Sequence, residues 1–148
     1  MKNKIPPPIV TLLFGLAIYL SKNLFPHPNN HFLDWVSVLL LLFGIIIIRS
    51  AFLLFRNYKT TINPVNLTKT SSLVNTGIFK YTRNPMYLGM VLILLSIGLK
   101  FNLYGGIILV FIFVLFITKF QIIPEEKAME KLFGQEFKNY KSITKRWI

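Results

Sequence analysis

A chain of 148 residues that is 53% hydrophobic, with a mean hydropathy of +0.56, has room for a single domain and gathers its apolar residues into long runs, not amphipathic stripes. That pattern excludes an ordinary water-soluble domain and points to a polytopic membrane protein. Seventeen Lys and Arg against five Asp and Glu leave a net charge of +12, and the lack of cysteine excludes disulfides, thiolate nucleophiles and Cys-based metal sites.

In chain order, four spans are expected at about 9–24, 34–55, 86–99 and 103–123, giving one all-α membrane domain over residues 1–148. The first and third are short, so they must tilt or extend past their ends. The opening Met-Lys-Asn-Lys before an apolar run resembles a secretory leader. Pro6, Pro7 and Pro8 interrupt it and no small-x-small cleavage pattern follows Leu20, so it is read as the first span. The connection from Ser21 to Leu33 holds both histidines, His27 and His31. Four apart on a helix they would share a face and could bind a metal, but Pro26 and Pro28 oppose a helix there. An exposed loop, and no metal centre, is the expectation.

The second span carries Arg49, placed to snorkel towards the headgroups at its inner end. The polar loop 56–84 follows, rich in Thr, Asn and Ser with Pro64 as a turn signal; loops of this length are functional or disordered, and its ending favours function. It closes on GIFKYTRNPMYLG, residues 77–89. Gly77 permits close chain approach, Phe79, Tyr81 and Tyr87 supply aromatic surface, and Arg83 supplies a fork of donors. Pro85 suits the first turn of the third span, leaving the amides after it open to an anion.

From Met86 to Ile123 the only charges are Lys100 and Lys119. Two halves of about 19 residues each rise about 28 Å, close to the ~30 Å hydrocarbon thickness, so the run returns Arg83 and Glu125 to one membrane face. The tail 124–148 then opens with Pro124, a good first-turn residue, and with Glu125 and Glu126, which complement a helix dipole. Met129, Leu132, Phe133, Phe137 and Tyr140 recur at helical spacing as the apolar face of a cytoplasmic amphipathic helix interrupted at Gly134.

Basic residues set the orientation. Lys2 and Lys4, the 56–84 loop and the tail carry nearly all of them, while the opposite side has only Lys22 and Lys100. Both termini and the polar segments are therefore expected in the cytoplasm, as in a bacterial inner membrane protein. Charge beside spans meets anionic lipid, at ~1 kcal/mol per residue, and nucleic acid is not an expected partner.

Alone, Arg83 reads as a membrane-end anchor and the glutamates as dipole complements. Together they read differently, because Glu125, Glu126 and Glu130, three of the chain's five acidic residues, cluster on the face that also receives Arg83. A zwitterion would satisfy both sets: arginine and helix amides hold a carboxylate, glutamate an ammonium group or ribose hydroxyls.

GIFKYTRNPMYLG followed by EEKAMEKLFGQEFKNYKSITKRWI resembles the membrane-embedded methyltransferases of the isoprenylcysteine carboxyl methyltransferase and phospholipid methyltransferase superfamily, over roughly residues 73–148. The resemblance implies S-adenosylmethionine bound at the cytoplasmic helix ends and methylation of a lipophilic or membrane-partitioning small acceptor. Carried over by position, it puts Leu73, Val74, Phe79, Asn84, Pro85, Met86, Tyr87 and Glu125 near the cofactor, with Arg83 and Glu126 as adjacent contacts. Two departures stand out. Asn84 occupies a position that is histidine in many members, and Gln121 lies where isoprenylcysteine methyltransferases carry a substrate-binding arginine, which argues against an isoprenylcysteine carboxylate as acceptor.

No Gly-rich strand-turn-helix fingerprint or strand-helix alternation is present, which excludes a soluble Rossmann methyltransferase. Methyl transfer from a sulfonium needs no metal and no covalent enzyme intermediate, only in-line positioning and exclusion of water. If the acceptor is an amine or thiol, Glu125, Glu126 and Tyr87 are the candidate bases. The competing readings are an NADPH-dependent steroid-reductase-like membrane enzyme, which shares an Arg-x-Pro-x-Tyr segment, and a non-enzymatic lipid-binding or scaffold protein.

Overall fold

A computed structural model of the protein describes residues 5–26, 28, 30–58 and 72–148, and among these every regular element is helical. Helix α1 spans Pro7–Leu20 and relaxes into one 3₁₀ turn at Ser21–Asn23. Pro7 and Pro8 occupy the first turn, where a missing N–H costs nothing and a fixed φ suits the helix. Helix α2 spans His31–Asn57 because Asn30 caps it, its side chain accepting from the Phe32 amide at 2.9 Å. His31 therefore opens a helix instead of lying in the expected loop; His27 is outside the described residues.

Helix α3, Pro85–Phe101, and helix α4, Leu103–Ile117, are joined by Asn102 alone. Such a short link works because the buried Asn102 side chain bonds two elements at once, α4 and the 3₁₀ turn. Its Oδ1 accepts from the Gly105 amide at 3.0 Å, and its Nδ2 donates to the carbonyl and hydroxyl oxygens of Ser21 at 3.1 and 2.9 Å. The two helices leave this turn in near contact: a Cβ on Gly106 would sit 2.5 Å from the Gly98 Cα.

Helix α5, Ile123–Ile143, carries Pro124 in its first turn, the place expected for it, but follows α4 without a gap. The chain runs helically from Leu103 to Ile143 through a π-helical turn at Thr118–Ile122. Pro124 cannot donate and its ring crowds the preceding turn, so widening that turn lets the helix continue past it. The expected interruption at Gly134 is present, as a kink with φ 51° and ψ −118°.

Packing produces two apolar centres. Ile18, Leu94, Phe113, Ile117 and Ile122, each without solvent exposure, join α1, α3, α4 and the π turn. Along α2 and α3 the backbones approach at glycines: a Cβ on Gly89 would lie 2.7 Å from the Gly44 carbonyl oxygen and 2.5 Å from Ile48 Cγ1. The second centre gathers Ala51 of α2, Leu73, Val74 and Phe79 of the loop, and Phe137 and Tyr140 of α5. It fastens loop and tail to the end of the bundle.

The outward faces are apolar. Leu39, Phe43 and Ile46 of α2 are exposed and little of that helix's apolar length is buried, unlike the core helix of a soluble protein. Among the described residues, two helices are long and apolar enough to cross a bilayer, His31–Asn57 and the continuous Leu103–Ile143.

Candidate functional site

The loop reaches its place through Gly77, whose φ of +57° starts a 3₁₀ turn at Gly77–Lys80 and whose missing Cβ leaves room for Leu54. Phe79 is thereby buried edge-on to Phe55, with ring centroids 5.2 Å apart, and its carbonyl accepts from the Tyr140 hydroxyl at 2.6 Å. Burial pushes that tyrosine hydroxyl's pKa upward, with Arg83 opposing, so it stays a neutral donor.

Beyond the 3₁₀ turn, the loop lies against the end of the chain. The Arg83 amide donates to the Lys145 carbonyl at 3.0 Å, Asn84 Nδ2 and Thr82 Oγ1 donate to the Arg146 carbonyl at 2.9 and 3.3 Å, and Thr144 Oγ1 donates to the Lys80 carbonyl at 3.3 Å. This strap places the Arg146 side chain over Glu126. Arg146 donates from Nε to Glu126 Oε1 at 3.1 Å and from Nη2 to Oε2 at 2.7 Å, while Arg83 Nη2 shares Oε1 at 3.0 Å. A buried carboxylate between two guanidinium groups is neutralised with one positive charge in excess. Arg83 Nε and Nη1 are buried and have no hydrogen-bond partner among the described residues.

One residue earlier, Glu125 faces α3 and accepts from the Tyr87 hydroxyl at 2.5 Å. Burial raises the Glu125 carboxyl to about 7; the Tyr87 hydrogen bond pulls it down and the neighbouring Glu126 charge pushes it up. The adjacent glutamates thus differ. Glu126 is engaged at both oxygens by arginines, whereas Glu125 is a carboxyl poised near neutrality.

The residues singled out from sequence come together in one region. Leu73, Val74 and Phe79 pack in the second apolar centre with Met86 against them, Pro85 is buried at the start of α3, Tyr87 belongs to the first centre and bonds Glu125, and Arg83 pairs with Glu126. Asn84 commits its amide donor to the Arg146 carbonyl, and thus ties the loop to the tail. Glu130, grouped with the other glutamates by spacing, pairs with Lys141 at 3.3 Å instead. Gln121 is buried and donates to the Ile5 carbonyl at 3.0 Å, holding the start of α1. Arg146, Thr82 and Thr144 were missed from sequence; the usable signal was a conspicuous shortage of partners for two adjacent glutamates beside an apolar run.

Chemically, the region offers donors without acceptors in Arg83, an ionisable carboxyl in Glu125 and apolar surface nearby. A family model described as phospholipid methyltransferase matches residues 33–136. An uncharacterized protein of Haemophilus influenzae is 41% identical over 63 residues, which are 43% of this chain and 100% of that protein. No solved structure matches.

Proposed function

The chain belongs to the phospholipid methyltransferase family, and on that premise we propose that it is an integral membrane enzyme that transfers a methyl group from S-adenosylmethionine to a lipophilic or membrane-partitioning small acceptor. The observation that carries the reading is Arg83, buried with Nε and Nη1 unpartnered and held through Nη2 by Glu126, the residue next to the Tyr87-bonded Glu125. Buried donors without acceptors are costly unless a ligand supplies the acceptors, and a carboxylate fits a guanidinium edge. The residues therefore suit the cofactor: Arg83 for its carboxylate, Glu125 for its ammonium group or ribose hydroxyls, and Leu73, Val74, Phe79 and Met86 as an apolar wall. Asn84 and Pro85 set the loop-to-helix corner, and Glu126 holds Arg83.

S-adenosylmethionine, when bound, supplies an electrophilic methyl group on a sulfonium. The chain's task is to orient that group, keep water away, and accept a proton where the acceptor is an amine or thiol. Glu125, with its carboxyl near 7, is the base best matched to a neutral cytoplasm; Glu126 has both oxygens engaged by two arginines and Tyr87 serves as donor to Glu125. We further propose four bilayer crossings, by α1, α2, α3 and α4, with both termini, the loop and α5 cytoplasmic. The Lys and Arg bias supports this orientation, and a bacterial inner membrane is the setting it fits.

The test is cofactor binding to the purified full chain, followed by a labelled-methyl assay with membrane lipid extract. Binding is expected for the wild type and lost in folded Arg83→Ala and Glu125→Ala. Folded wild type that ignores S-adenosylmethionine, or is stabilised by NADPH instead, would overturn the proposal.

A further inference from the structure

We infer that Arg146 is a positioning residue: by occupying both oxygens of Glu126 it keeps Arg83 singly tethered, so that Arg83 Nε and Nη1 stay turned towards the ligand. This deepens the cofactor reading above and rests on it for the ligand's identity. Glu126 can satisfy a guanidinium by a two-point fork, the preferred geometry of an isolated Arg–carboxylate pair. It gives that fork to Arg146, through Nε at 3.1 Å and Nη2 at 2.7 Å, and leaves Arg83 a single contact at 3.0 Å. Remove the Arg146 fork, and Glu126 is free to turn and take Arg83 in two-point fashion, consuming a donor that the ligand needs. The tail itself does not depend on this side chain. The Arg146 carbonyl is bound by Thr82 and Asn84, and the Lys145 carbonyl by the Arg83 amide, so a substitution at Arg146 leaves the strap in place.

Arg146→Lys is the informative variant, since a single ammonium keeps the charge and cannot fork. Two measurements on the full chain in detergent micelles separate the mechanism from the cofactor assignment. The first, without ligand, is the side-chain Nε–H resonance of Arg83 in ¹⁵N-labelled protein. It is expected to move to a hydrogen-bonded position in Arg146→Lys and to stay put in Lys138→Gln, whose side chain is exposed. The second is S-adenosylmethionine affinity, expected to weaken about tenfold in Arg146→Lys, as for loss of one charge-assisted hydrogen bond. In an Arg83→Lys background the same change should add no further loss, because Arg146 acts only through the Arg83 fork. An unmoved resonance, or affinity losses that simply add, overturns the positioning role. A resonance that responds in protein that binds no S-adenosylmethionine upholds the positioning role and sinks the cofactor reading alone.

Discussion

Glu125→Gln should make the protein more stable at pH 8 while weakening its function. The Glu125 carboxyl titrates near the usual 4.5 when the chain is unfolded and near 7 when it is buried in the fold. Below pH 4.5 both states hold the proton and the contribution to stability is fully present. Between 4.5 and 7 the unfolded chain releases its proton while the folded one retains it, so stability falls as pH rises, and above 7 it levels off. At 2.303RT per pH unit, that gap corresponds to about 3 kcal/mol, and residual exposure of Glu125, which lets water share its charge, trims it to roughly 2 kcal/mol. Glutamine keeps an acceptor for the Tyr87 hydroxyl and carries no proton to lose. Thermal unfolding in detergent between pH 4 and 8 should therefore show equal midpoints at pH 4 and a variant midpoint higher by about 4–8 °C at pH 8, from about 2–4 °C per kcal/mol in a chain of this size. S-adenosylmethionine affinity should fall by about tenfold or more in the same variant. A wild type whose stability is flat from pH 4.5 to 7, or a variant less stable than wild type at pH 8, would refute the assignment of a buried, ionisable Glu125.

The Tyr87 hydrogen bond holds the Glu125 carboxyl down, so Tyr87→Phe should move the midpoint of pH-dependent cofactor binding above about 7, read by titrating affinity against pH. Gly89→Ala places a methyl 2.7 Å from the Gly44 carbonyl, a backbone group that cannot step aside; α2 and α3 should separate at a cost of about 1–3 kcal/mol, measured by unfolding in micelles. At Gly134 nothing lies within 4 Å of an added Cβ, so Gly134→Ala meets no clash and costs only the positive-φ backbone (φ 51°, ψ −118°), about 1–3 kcal/mol, measured by unfolding in micelles.

The order of residues by itself determined the helices and the segments that matter. The apolar run opening at Pro85 set α3 and the run from about residue 34 set the body of α2, because hydropathy is a local property of the chain; the Asn30 cap that starts α2 three residues earlier was not read from it. The motif around Arg83 and the adjacent glutamates was legible as well, since a helical hairpin of known rise must bring its ends together.

Tertiary structure decided the rest. Pro124 sits in the first turn of α5 as its residue type suggests, but that α5 follows α4 without a gap, through a π turn at Thr118–Ile122, is not a local property of proline. The two neighbouring glutamates look alike in sequence, but one faces two arginines and the other a tyrosine, because successive helical residues point about 100° apart into different surroundings. Arg146 reaches Glu126 only because backbone hydrogen bonds lay the end of the chain along the loop, a pairing between distant segments that no local pattern specifies.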